Sequence, residues 1–361
     1  MNNTQMNIDR AQTDSFATTE TARKRRKKVR FKPNKEGMLA LLALIVIVAL
    51  VVTALVFAIK GIITAVENGS ETTTNNQGNN PPTLPWNNAY APIPHSNSNL
   101  GKGELVLVNS KNAYALADAL KERGSTNLYQ YEGHGSSYVL PGSDVRVSNT
   151  MLQPLMQMIA DMVEANPDTI GANSDDRLYI SGAYRDIELQ TTLNTNNPTT
   201  YPELPGYSEH HTGLAVDFKI MSKSTPISMR DAEYQWLEEN CMKYGFIFRY
   251  GDSKVAITGM NEPYHLRYVG VPHATYMSDR DLCLEEYLEL LRNNHSYDKT
   301  PLEITAGEKE YIVYYVAANT ADATGITSIP VPPASEGTYT VSGDNMSGFI
   351  VTVEKTAATA E

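Results

Sequence analysis

Ser208-Glu209-His210-His211-Thr212-Gly213-Leu214-Ala215-Val216-Asp217 places an imidazole seven residues before a carboxylate, with the small residues Gly213 and Ala215 between them. Further along, Asn261-Glu262-Pro263-Tyr264-His265-Leu266-Arg267 supplies a second imidazole with a glutamate three residues ahead of it. Two histidines and one aspartate make the three-ligand set of a catalytic zinc, whose fourth position is left to water. Zinc lowers the pKa of a water it holds to about 7, and a neighbouring carboxylate can take that proton and pass it to a leaving amine. Glu262 has the chemistry for that task. Residues three apart on a straight strand point to opposite faces, so a bend at Pro263 is expected to bring Glu262 and His265 together.

Each half of the pattern recurs by chance, and only the conjunction is specific. Two other catalytic layouts fail. There is no His-Glu-x-x-His for a helical zinc site. Ser296-Tyr297-Asp298-Lys299 fits Ser-x-x-Lys, but only about sixty residues follow it and they contain no Lys-Thr-Gly. His95, His134, His273 and His295 read as surface or structural residues, and His211 should point away from its neighbour's site.

These residues resemble the D-alanyl-D-alanine carboxypeptidases of the VanY type, within the lysostaphin-like, D-Ala-D-Ala carboxypeptidase and hedgehog-like zinc domains. Ser208-x-His210-x-x-Gly213-x-Ala215-x-Asp217 is similar to that family's first motif at every defined position. Glu262-Pro263-Tyr264-His265-Leu266-Arg267-Tyr268-Val269-Gly270 resembles the second, with Tyr264 where Trp is common. Ser181-Gly182-Ala183-Tyr184-Arg185-Asp186, followed by Gln190, resembles an upstream Ser-Gly-Tyr-Arg-Ser element, from which Ala183 and Asp186 depart. Gly251 likewise follows Arg249-Tyr250 where Pro is common.

The resemblance implies that His210, Asp217 and His265 hold Zn2+, that Glu262 is the general base, and that Arg185 polarises the scissile carbonyl. It also implies that Ser208 and Gln190 touch substrate near its terminal carboxylate. A permanently charged guanidinium in a dry site suits the Arg185 role on physical grounds. The competing task for Arg185 is to cap the helix that follows. Arg267 reads as a supporting residue.

The implied activity is zinc-dependent D,D-carboxypeptidase action, removing the terminal D-Ala of peptidoglycan stem peptides. L,D-carboxypeptidase or endopeptidase action on the same polymer shares the chemistry. A non-catalytic zinc-containing wall-binding or signalling module is an alternative of another class, against which a retained base at Glu262 argues.

The elements that must position these groups follow from periodicity. Leu152, Leu155, Met156, Ile159, Met162 and Val163 fall at helical spacing within 149–164. Strands are expected at 104–108, 177–181, 213–220 and 245–250, and helices at 186–193, 230–244 and 279–292. This interleaving predicts an α+β domain with a mainly antiparallel sheet and flanking helices over residues 104–298, for which the resemblance implies the hedgehog/D-Ala-D-Ala peptidase-like fold. From Thr300 the texture turns to β-branched and aromatic runs, which predicts a small all-β appendage over 299–361. The appendage is expected to be dispensable for chemistry, since no proposed catalytic residue lies beyond His265.

The N-terminal third reads differently. Residues 1–37 carry ten Lys or Arg against four Asp or Glu, on a chain of 361 residues whose net charge is -11. The stretch 38–59 has no charge and is rich in Leu, Val, Ala and Ile, long enough to span a bilayer. The basic stub before it predicts a cytoplasmic N-terminus, a single-pass membrane anchor and an extracytoplasmic catalytic domain. Residues 60–103, rich in Asn, Thr, Pro and Gly, are expected to be a flexible tether. Basic charge confined to a stub excludes a nucleic-acid-binding face. Cys241 and Cys283 could pair in an exported domain or stay as buried thiols.

Overall fold

Period-two runs that are apolar on the core side become the strands of one central sheet, and the helical run at 149–164 packs across it. A computed structural model describes residues 86–87, 89–114 and 119–356, all within the unit Asn80–Glu361. The strands are β1 (Ala91–Ser96), β2 (Ser125–Asn127), β3 (Tyr138–Val139), β4 (Arg146–Ser148), β5 (Arg177–Gly182), β6 (Ala215–Ser222) and β7 (Thr225–Ile227). They continue with β8 (Phe246–Tyr250), β9 (Glu262–Tyr268), β10 (Leu302–Ala306), β11 (Lys309–Ala317), β12 (Ile326–Val331), β13 (Gly337–Gly343) and β14 (Gly348–Lys355). The helices are α1 (Ala119–Arg123), α2 (Asn149–Ala165), α3 (Ile187–Asn196), α4 (Asp231–Asn240), α5 (Val255–Thr258), α6 (Val271–Asp279) and α7 (Leu284–Asn294).

The central sheet runs β3-β5-β6-β9-β8, with β7 also on β6. All pairings are antiparallel except β3 with β5. Leu152, Leu155, Met158, Ile159 and Met162 line one face of α2 and meet Leu178, Ile180, Val216, Phe218 and Leu266 from the sheet. Full burial of each such side chain stabilises by about 1.5–3 kcal/mol. The expected α+β class with a mainly antiparallel sheet is what forms.

The C-terminal residues are not an appendage. Their sheet, β10-β11-β14-β13, shares one core with α6 and α7, where Leu284, Tyr287, Leu288 and Leu291 pack with Leu302, Val313, Tyr315 and Ile350. The expected tether also ends earlier than 103. β1 pairs antiparallel with β12, and the Trp86 ring lies 5.4 Å from Tyr297 and 5.3 Å from Tyr314. The apolar content at 86–101, sparse as it is, is spent on this packing.

Leu105–Val108 is buried, but 104–108 forms no strand. The carbonyls of Glu104 and Val106 accept hydrogen bonds from the Arg267 guanidinium at 2.8 and 2.9 Å, in place of a neighbouring strand. The helix expected at 279–292 forms only from Leu284, as α7, and a further helix that was not expected, α6, precedes it. Gly270 and Pro272 start α6, and a capping box of Cys283 with Glu286 starts α7. A cysteine in that role lies outside the usual Ser, Thr, Asp and Asn signature. Cys241 and Cys283 are buried free thiols.

The single-pass anchor is a correction. No helix among the described residues is long and apolar enough to cross a membrane. The longest of them, α2, has 17 residues and an amphipathic composition. The stretch 38–59 itself lies outside the described residues. Membrane localisation with an extracytoplasmic domain is therefore not retained.

His273 ties α6 to the C-terminal sheet, with Nδ1 2.8 Å from the Tyr287 hydroxyl and Nε2 3.0 Å from the Thr352 hydroxyl. Burial pushes its pKa down to about 3. Below its ordinary value of about 6.5 the unfolded chain takes up a proton that the folded chain refuses, so stability falls as pH drops from there toward 3. The slope is about 1.4 kcal/mol per pH unit. Urea midpoints of the parent should therefore decline more steeply between pH 6.5 and 5 than those of His273→Gln. Parallel profiles would refute this.

Candidate metal and peptidase site

The first motif opens as a 3-10 turn over Glu209–Thr212, closed by Gly213 in the left-handed region at φ 70°. A Cβ at Gly213 would meet the Leu120 side chain at 2.5 Å. The turn delivers His210, and β6 begins two residues later with Asp217 facing the same cavity. Asp217 stands opposite His265 across the β6–β9 ladder and opposite Gly182 across β5–β6. Gly182 is required by closeness, since a Cβ there would lie 2.2 Å from Asp217 Oδ2.

His210, Asp217 and His265 each offer a donor atom, all within 4.8 Å of one another. His210 donates from Nδ1 to the Ala183 carbonyl at 2.7 Å, which leaves Nε2 facing Asp217 Oδ2 at 3.2 Å. His265 Nδ1 lies 2.9 Å from Asp217 Oδ1. Its Nε2 lies 3.4 Å from Glu209 Oε2. An imidazole whose far nitrogen is held by a carbonyl or carboxylate is how metal-binding histidines are normally oriented. The donor set, two nitrogens and one carboxylate oxygen, fits zinc.

Electrostatics agree with a site built for a cation. Burial and the Arg185 charge push His210 down. His265 is raised to about 10: burial opposes the shift, but the hydrogen bonds it donates to Asp217 and Glu209 outweigh it. Asp217 is held well below the usual carboxylate range, against burial, by the two histidines.

Glu262 lies at the start of β9, where a register shift against β8 between Phe248 and Tyr250 breaks the strict alternation. Its Oε2 is 3.9 Å from His265 Nδ1. Burial raises its pKa to about 7, assisted by Glu203 and Asp217 and opposed by His265 and Arg185. A carboxyl group in that range can both accept and return a proton near neutral pH.

Arg185 is held by its backbone, whose N–H donates to the His210 carbonyl at 3.2 Å and whose carbonyl accepts from His211 Nδ1 at 2.7 Å. Asp186 caps α3 through Leu189 N–H at 2.7 Å, so Arg185 is spared that task. Its guanidinium reaches the Ser208 hydroxyl at 3.3 Å and lies 5.4 Å from the Tyr201 ring centre, while Nε is buried with no partner. Arg185, His210, Asp217 and Glu262 line a cavity of about 480 Å³ together with Glu203, Tyr201, Lys219 and Tyr264.

Ser208 and Gln190, expected at the substrate, are fully buried and absent from the cavity lining. Ser208 sits between Arg185 and Glu203, donating to Glu203 Oε1 at 3.4 Å. Gln190 donates to the Glu203 carbonyl at 2.8 Å. Both therefore support the wall from behind. His211 turns away from the cluster and accepts from Gly206 N–H at 3.0 Å.

Sequence reasoning passed over Glu209. It is fully buried, and its Oε1 accepts from Arg249 at 2.8 Å and Arg267 at 2.9 Å while Oε2 faces His265. Arg249 also forks onto Glu285 at 2.7 and 2.8 Å. The signal that could have revealed it is a carboxylate directly beside His210 to which the spacing of the motif assigns no task.

Comparison with known proteins bears on this geometry. Residues 146–271 match the VanY family model, D-alanyl-D-alanine carboxypeptidase. A D-alanyl-D-alanine carboxypeptidase of Enterococcus faecium is 34% identical over 253 residues, covering 70% of this chain and 75% of that protein. The putative carboxypeptidase YodJ of Bacillus subtilis (strain 168) is 46% identical over 147 residues, covering 37% of this chain and 53% of that protein. Among solved structures, the vancomycin resistance D,D-dipeptidase VanXYg in complex with a D-Ala-D-Ala phosphinate analog aligns with TM-score 0.57 at 25% identity. That alignment covers 74% of this chain and 99% of that one.

Proposed function

Because this chain belongs to the VanY family of D-alanyl-D-alanine carboxypeptidases, we propose that its cavity removes the terminal D-Ala of peptidoglycan stem peptides, with Zn2+ held by His210, Asp217 and His265. The observation that carries this reading is the convergence of the three donor atoms within 4.8 Å, beside a cavity lined by His210 and Asp217 together with Arg185 and Glu262. Zinc in that position would supply a Lewis acid for the scissile carbonyl and an acidified water.

The rest is work for the chain's own side chains. Glu262 takes the proton of the attacking water on a carboxylate oxygen and returns it to the departing amine of D-Ala. Arg185 offers its guanidinium to the charge that develops on the carbonyl oxygen, where a preorganised donor acts most strongly. Ser208, Gln190 and His211 keep Arg185 and the Glu203 loop in place. Burial of Glu262 keeps its carboxyl close to neutral pH, so both proton transfers are accessible.

Metal analysis of the purified full chain should find one zinc per molecule. Incubation with a stem pentapeptide ending in D-Ala-D-Ala should release D-Ala. Release of D-Ala only from the tetrapeptide, whose bond joins an L-centre to D-Ala, would assign L,D-carboxypeptidase action instead. A zinc-loaded chain that cleaves neither would overturn the enzymatic reading.

A further inference from the structure

Two cations line the cavity, and they lie on opposite sides of the proposed metal position. On the β5–β6 ladder Gly182 stands opposite Asp217, and Tyr179 stands opposite Lys219. The chain from Gly182 to Arg185 therefore leaves the ladder in one direction, while Lys219 lies two residues along β6 in the other. Alternation puts Asp217 and Lys219 on the same face, about 7 Å apart along the strand. An extended peptide advances about the same distance in two residues.

Lys219 is half-buried, and its Nζ lies 5.4 Å from the centre of the Tyr264 ring. Four carboxylates share the cavity; Glu262, the proposed base, lies nearest His265 at 3.9 Å, and the other three are engaged elsewhere. Asp144 pairs with Arg146 at 2.7 Å, Asp217 with both histidines, and Glu203 accepts from Ser208. Among the described residues no carboxylate forms an ion pair with Lys219. An ammonium steadied by a ring face and pointed into a cavity without an anionic partner is a receptor for an anion.

We infer that Lys219, positioned by Tyr264, recognises a free carboxylate on the retained acyl part of the substrate, one or two residues before the scissile bond. With Arg185 on the far side of Asp217 serving the carbonyl and the departing D-Ala, the part of the peptide lying toward Lys219 is the part that stays behind. Stems that carry a second carboxyl group there are preferred over those in which it is amidated. Stems with an ammonium at that place are disfavoured by like charge. This rests on the peptidase function proposed above.

The test uses the zinc-loaded full chain and three synthetic stem peptides ending in D-Ala-D-Ala, alike except for a free acid, a carboxamide or an ammonium at the upstream position. The parent should favour the acid over the amide by about tenfold in kcat/KM, the scale of one charge-assisted hydrogen bond, expressed mainly in KM. Lys219→Met should bring the ratio to about one, and Lys219→Glu should reverse it and favour the ammonium, with zinc content and melting temperature held. An acid-to-amide ratio near one in the parent, or one that survives Lys219→Met, overturns the assignment. Equal losses by Lys219→Met on all three peptides and on acetyl-D-Ala-D-Ala overturn it too, and place Lys219 at the terminal carboxylate. A zinc-loaded parent that cleaves no peptide at all removes the peptidase function and this inference together, an outcome distinct from cleavage without preference.

Discussion

Glu262→Gln is expected to bind one zinc per chain and to lose hydrolysis by about 10²–10⁴-fold in kcat, the usual contribution of a positioned general base. Gln keeps the size of the side chain and its capacity to hydrogen-bond, but it cannot receive a proton. The reason to expect intact metal is distance. Glu262 Oε2 lies 3.9 Å from His265 Nδ1, outside the closer contacts that His210 and His265 make with Asp217. His265→Ala should do the reverse and lose zinc first. Metal content measured beside single-turnover hydrolysis separates the two. A metal-free Glu262→Gln would make Glu262 a ligand, and a fully active one would move proton transfer to another residue.

Glu209→Ala is expected to be the most destabilising single change in the site region, by about 3–5 kcal/mol, because it strips a fully buried carboxylate from two fully buried guanidinium groups. Burial alone would raise the Glu209 pKa, but Arg249 and Arg267 overcome it and hold the group well below the usual carboxylate range. A carboxylate lowered in the folded state contributes fully above its unfolded value of about 4.5 and is lost only as pH falls through the folded value. The deficit of the variant should therefore be constant from pH 5 to 8. Glu209→Gln keeps an oxygen for the two arginines but presents an amide to His265 Nε2. It should fold better than Glu209→Ala and still bind zinc about 10–100-fold more weakly. Wild-type zinc affinity in Glu209→Gln would show that the carboxylate serves the fold alone.

The cluster of His210, Asp217 and His265 could be read from the chain because its members sit among residues whose smallness has a visible cause. Gly213 must adopt a left-handed turn, and Gly182 must leave room for Asp217. The helix α2 and strands β5, β6 and β8 were legible from apolar periodicity, which burial on one face imposes. Glu209 and Arg249 were not, and Arg267 was legible only as a supporting residue, because a buried charge network joins partners up to 58 residues apart and leaves no spacing rule. Ser208 and Gln190 carried the right identity for a substrate contact, but their side chains are used from behind the wall. The strand expected at 104–108 failed because its carbonyls are taken by an arginine side chain rather than by a ladder. Helix α6 was passed over because its start uses Gly270 and Pro272, residues that also punctuate loops.

The closure of the described unit by its own ends has a kinetic meaning. β1 pairs with β12, the Leu105 N–H donates to the Ser342 hydroxyl across a separation of 237 residues, and Arg267 reaches the carbonyls of Glu104 and Val106 while holding Glu209. The carboxylate behind His265 is thus tied to contacts that close only after most of the chain has emerged and folded. Contacts of such sequence separation form slowly. A nascent or partly unfolded chain is consequently expected to carry His210, Asp217 and His265 before the carboxylate that braces His265 is in place, so that the finished site arises late in folding.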